Sequence, residues 1–233
     1  MFIGHFGLGF GAKRVAPTVS LGTLFLAAQL ADLLWPTLVL LGVERVEVQP
    51  GATRVTPLRF VSYPYSHGLL ALCLWGALAG SLYWLLRRRR RGAWVGALTV
   101  GGLVVSHWVL DFVSHGPDMP LTFAARVKVG LGLWGSLPAT VVVEGALFAV
   151  GVVLYTRATA PRDRVGSWGL WALVGFLAVV YSANLLGPPP PSAAAVAWSA
   201  EAMWLLVAWG YWIDRHRAPR LAGVTPARES PAY

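Results

Sequence analysis

His107, Asp111 and His115 follow one another at steps of four residues within Gly101–Gly116 (GGLVVSHWVLDFVSHG), a segment otherwise apolar enough to cross a membrane. On a helix that spacing stacks the three side chains on one face. Neutral imidazole and carboxylate are the donors that suit zinc or a neighbouring divalent ion. Ionisable groups are costly to hold at bilayer depth, so they tend to mark functional sites. One such residue would be read as glue between helices, a common use of polar side chains in membrane bundles. Three on one stripe favour a metal site.

Other candidates are scattered along the chain. His5, His67, His107, Asp111 and His115 are the expected imidazole and carboxylate ligands, Asp32 is a ligand or a supporting carboxylate, and Glu144 and Asp32 are the candidate general bases. Cys73 is the lone cysteine, which excludes a disulfide framework and a thiolate zinc site within one chain. Glu201 is expected to pair with a neighbouring helix, Asp118 to cap a turn or support a ligand, and His216 to be solvated. Ser66, Ser106 and Ser114 each immediately precede a histidine. Adjacent helical residues point about 100° apart, so none is expected to pair with its own neighbour. The chain also lacks a G-x-S-x-G elbow, and covalent serine catalysis is the weakest option.

The elements that must position these residues follow from composition. Of the 233 residues 56% are hydrophobic and only 12% charged, with 12 Trp, too apolar for an ordinary soluble domain. The expected fold is an all-α polytopic membrane bundle with spans near Ser20–Val43, Tyr65–Leu86, Ala93–Val113, Leu133–Tyr155, Trp168–Leu186 and Ala193–Ile213. Residues 1–215 form one integral membrane domain, with its motifs in 1–120, and 216–233 a flexible cytoplasmic tail. The segment around His5 is too short to cross and reads equally as a re-entrant or an interfacial helix. Glu44–Pro64 alternates β-branched and polar residues around Pro50-Gly51, the pattern of an external hairpin. Pro188–Pro191 is a stiff external turn.

The net charge of +9 resides in loops and tail, which argues for membrane topology rather than nucleic-acid binding. Lys13, Arg14, Arg87–Arg91, Arg157, Arg162, Arg164 and Arg215 onward fall on one side, which the positive-inside rule makes cytoplasmic together with both termini. At a rise of about 1.5 Å per residue, Asp32, His67, His107, Asp111, His115 and Glu144 can all line one cavity that opens outward.

His5, Asp32, Ser66-His67-Gly68 and the H-x-x-x-D unit His107–Asp111 occur in an order that resembles bacterial membrane-bound metal-dependent hydrolases of the YdjM type, a LexA-binding inner-membrane group. The likeness covers about residues 1 to 120. Leu33, Leu34 and Trp35 stand where that family carries a P-D-x-D cluster, so the likeness does not extend to a second metal. The resemblance implies a divalent metal, most suitably zinc, and hydrolysis in the inner membrane. A lipid or phosphoester is the expected substrate, with membrane lipids as partners. The competing readings are a metal or proton permease using the same ligands, and a non-enzymatic membrane scaffold.

Overall fold

The computed structural model describes residues 1–220; the remainder of the expected flexible tail lies outside the described residues. The architecture is an all-α polytopic bundle. A short α1 (Ile3–Ala12) precedes α2 (Leu21–Ala28) and α3 (Leu30–Leu40), which meet at a 56° bend. Strands β1 (Arg45–Val48) and β2 (Leu58–Ser62) form the expected antiparallel hairpin. The long helices α4 (Leu69–Arg87) and α5 (Ala93–Ser114) follow, then a two-residue ladder of β3 (Met119–Pro120) with β4 (Lys128–Val129). Next come α6 (Leu137–Ala158), β5 (Thr159–Pro161), α7 (Arg164–Leu186), the pair α8 (Ala193–Glu201) and α9 (Met203–Arg215), and β6 (Arg217–Pro219). Among the described residues five helices are long and apolar enough to cross a membrane, counting Ala193–Arg215 as one, and the bent pair α2–α3 makes a sixth if it is taken as one span.

Local chemistry sets these boundaries. Ser136 accepts a hydrogen bond from Ala139 N at the head of α6, where Pro138 sits in the first turn and needs no donor. This starts the helix four residues later than the apolar run predicts, leaving Leu133–Gly135 as a 3-10 turn. Asp163 caps α7 through Gly166 N at 2.8 Å. Gly92, at φ +75°, makes the left-handed turn between the arginine run and α5.

The exterior departs from that of a soluble protein. Leu74, Leu78 and Leu82 of α4, Val142 and Val153 of α6 and Trp168 of α7 face outward, whereas His5, His67, His107, Asp111 and Glu144 are buried. An apolar exterior with ionisable groups gathered inside an otherwise apolar core suits a hydrocarbon solvent, and it fits a multi-pass membrane protein.

The N-terminal helix lies inside the bundle. Phe6 and Phe10 meet Phe25 edge-on at 5.0 and 4.9 Å, and Phe10 also meets Tyr155 at 5.3 Å. α1 crosses α6 so closely that a Cβ on Gly151 would stand 2.0 Å from the carbonyl oxygen of Gly7. Only glycine permits that approach. Of the two readings of this segment, the buried one describes the structure.

Basic loops collect at one end. Lys13 Nζ, which burial pushes below its ordinary pKa, is held 3.1 Å from Asp214. Thr18 shares a cavity of about 460 Å³ with Arg87, Arg90 and Arg91, and β5 pairs with β6. The β1–β2 hairpin lies at the other end, where Arg54 N donates to Trp134 O and Lys128 Nζ to Val61 O. The β5–β6 pairing corrects the expected domain boundary: Arg217 is buried and donates to Thr159 Oγ1 and Gly166 O, so ordered structure runs past residue 215. His216 is likewise more than solvated, with Nδ1 2.7 Å from Asp163 Oδ2.

Candidate metal centre

Five of the expected residues converge. His5 comes from α1, Asp32 from α3, His67 from the turn before α4, and His107 and Asp111 from successive turns of α5. Among the described residues two overlapping groups have donor atoms close enough to hold an ion, His5–His107–Asp111 and Asp32–His67–His107. The contacts alternate nitrogen and oxygen: His107 Nε2 to Asp111 Oδ2 3.1 Å, Asp111 Oδ2 to His67 Nε2 3.7 Å, His67 Nε2 to Asp32 Oδ1 3.3 Å, and Asp32 Oδ1 back to His107 Nε2 3.7 Å. His5 Nε2 lies 3.1 Å from the other Asp111 oxygen. Donors on a tetrahedral zinc with bonds of about 2.0–2.1 Å stand roughly 3.3 Å apart, so the spacing is of the right size. Both groups share one atom, His107 Nε2, whose single lone pair serves one ion.

His107 carries the clearest chemical signal. Its Nδ1 is 2.8 Å from the Ala28 carbonyl, which only accepts, so Nδ1 bears a proton, and in the neutral imidazole Nε2 then presents a lone pair. That Nε2 is buried, faces two carboxylates and has hydrogen-bond geometry to no partner. In that neutral form a buried acceptor among acceptors is unfavourable, and either a proton on Nε2 or a cation between the groups relieves it. The bend at Gln29 makes the arrangement possible: α2 ends at Ala28 and α3 begins at Leu30, leaving the Ala28 carbonyl to the imidazole. Pro36, which lacks an N–H, likewise donates no hydrogen bond to the Asp32 carbonyl four residues earlier.

His5 stacks on His107 with ring centroids 3.7 Å apart and planes within 2° of parallel. The Met1 amino group contacts Asp111 Oδ1 and lies 3.2 Å from Ser114 Oγ. Asp32 is the one partly open member, its side chain 22% exposed.

Two expected residues stand apart. α5 ends at Ser114, and His115 is its extended C-cap with φ −68° and ψ 154°, so the i+4 stripe stops after Asp111. The His115 ring sits 4.2 Å from Trp134 and 4.8 Å from Phe60, with Nδ1 3.3 Å from Tyr63 Oη and 3.2 Å from Asp118. Burial pushes the Tyr63 phenol well above its ordinary range, which keeps it a neutral donor. Glu144 accepts from Phe2 N at 2.7 Å and Gly4 N at 3.3 Å, placing its charge at the N-terminus of α1. It belongs to neither ligand group. Glu201 accepts from Thr37 Oγ1 at 2.6 Å, the expected helix-to-helix pairing.

The sequence-based expectation that no serine pairs with its neighbouring histidine fails at Ser66. Ser66 and His67 precede α4 in non-helical backbone, and Ser66 Oγ lies 2.7 Å from His67 Nδ1. The same hydroxyl donates to Glu44 Oε2 at 2.6 Å, while Glu44 Oε1 accepts from Tyr65 N and Ser66 N. Glu44 is buried and was not singled out by the sequence, where it reads as the first residue of an exposed loop. No family model matches the chain, and no curated protein or solved structure is significantly similar to it.

Proposed function

We propose that His5, Asp32, His67, His107 and Asp111 hold one divalent ion, with zinc best suited to the imidazole and carboxylate donors, and that the protein is a membrane-embedded metal-dependent hydrolase. The observation that carries the metal reading is the buried, unpartnered Nε2 of His107 facing Asp111 and Asp32. An ion held there supplies Lewis-acid polarisation and lowers the pKa of a water molecule. The partial exposure of Asp32 supports it as the carboxylate that would receive a proton from a reactant arriving at the cluster. Glu144 is engaged at the N-terminus of α1, which favours Asp32 over it as the base.

The hydrolase assignment and the lipid or phosphoester substrate rest on the YdjM-type resemblance and on the apolar surroundings of the cluster. The same reading sets the basic loops toward the cytoplasm and the hairpin outward in a bacterial inner membrane. Elemental analysis of protein purified without chelators and supplied with zinc should find about one ion per chain, as a single shared histidine lone pair requires. His107→Ala and Asp111→Ala should lose it. Equal, near-zero metal in all three overturns the metal reading. Hydrolysis of a phosphoester and lipid panel should require the ion, and zinc flux in proteoliposomes without any hydrolysis would replace the hydrolase by a permease.

A further inference from the structure

Glu44, Ser66 and His67 form a hydrogen-bonded series whose directions can be read from donor inventory alone. Glu44 is a buried carboxylate that accepts from Tyr65 N at 2.8 Å and Ser66 N at 2.9 Å through Oε1, and from Ser66 Oγ at 2.6 Å through Oε2. A carboxylate only accepts, so the one hydroxyl proton of Ser66 points at Glu44. The remaining contact, Ser66 Oγ to His67 Nδ1 at 2.7 Å, must then be made by a proton on Nδ1. In neutral His67 this leaves Nε2 as a lone pair, 3.3 Å from Asp32 Oδ1 and 3.7 Å from Asp111 Oδ2.

We infer that Glu44 and Ser66 are positioning residues, which fix His67 as its Nδ1–H tautomer and so present Nε2 to the ion. The inference rests on the metal reading above for its consequence, and on geometry alone for the tautomer. Ala28 performs the same task for His107 through its carbonyl. Two ligand histidines thus have their distal nitrogens satisfied, His107 by the Ala28 carbonyl of another segment and His67 by the adjacent Ser66, itself held by Glu44 of another segment, the arrangement that orients a metal-binding imidazole and raises its basicity. Glu44 lies between α3 and β1, so the hairpin connection is tied directly to the centre.

Glu44→Gln makes the test specific. Its amide oxygen can still accept from Tyr65 N and Ser66 N, but its NH2 now donates to Ser66 Oγ. The serine proton then turns to His67 Nδ1, and the imidazole proton moves to Nε2, where it points at Asp32. Zinc affinity of the full chain in detergent, measured by competition with a chromophoric chelator, should fall by about 10–100-fold, the usual effect of losing such an outer partner. Ser66→Ala should weaken zinc in the same way, and Ser66→Thr, which keeps the hydroxyl, should stay near wild type. Nitrogen-15 shifts of His67 in zinc-free protein should report Nδ1–H in wild type and Nε2–H in Glu44→Gln. Wild-type affinity in Glu44→Gln with an unchanged tautomer signal overturns the inference. A wild type that takes up no zinc overturns the metal reading instead, and the tautomer signal then decides this proposal by itself.

Discussion

Asp111 and Glu144 are both buried acids, yet their surroundings give them different work. Asp111 offers one oxygen to His5 and the other to His107 and His67, so its removal opens the centre itself. Glu144 instead accepts two backbone N–H groups at the start of α1. Glu144→Gln should therefore lower the thermal unfolding midpoint in detergent, at about 1–3 kcal/mol for a weakened charged hydrogen bond, while zinc remains bound. Loss of the ion with an unchanged midpoint would reverse these roles. His115→Gln should likewise leave zinc content intact, since its ring belongs to the Trp134, Phe60 and Tyr63 cluster. Periodicity placed His107 and Asp111 correctly because both lie inside a regular helix. It misplaced His115 because a stripe argument holds only while the helix continues, and α5 stops one residue earlier.

Elements, unlike single side chains, were legible mainly through their apolar lengths. The long helices announce themselves by hydropathy, and the hairpin by alternation around Pro50-Gly51. The bend at Gln29 carries no comparable signal: Leu21–Leu40 reads as one apolar run, and a backbone break is set by what its freed carbonyl can bond across the bundle, here His107. The pairing of Glu44 with Ser66 was hidden for a similar reason, since it spans 22 residues and depends on non-helical backbone. The α1–α6 crossing offers a test at this scale. Gly151→Leu would force a side chain into the Gly7 carbonyl, costing about 1–3 kcal/mol as overpacking does, and would lift α1 and His5 away from His107. Zinc affinity should fall in Gly151→Leu while Gly175→Leu, at a position with open space around its Cβ, leaves it unchanged. Equal affinity in both would detach α1 from the centre.

For the molecule as a whole, the loops separate into a basic end and a hairpin end. Reporter fusions after Arg91 and after Arg164 should read cytoplasmic, and one inserted at Arg54 external; the reverse pattern would place the mouth of the centre in the opposite compartment. The glycine contact between α1 and α6 also orders events during synthesis. All five proposed ligands have been made once residue 111 has emerged, but the groove that seats α1 includes Gly151 and Leu147, which come later. α1 has only 10 residues, about 15 Å of helix, and cannot cross the bilayer unaided. α1 is thus made before the long segments of this chain but gains its full seat only once the fourth of them, α6, has been made.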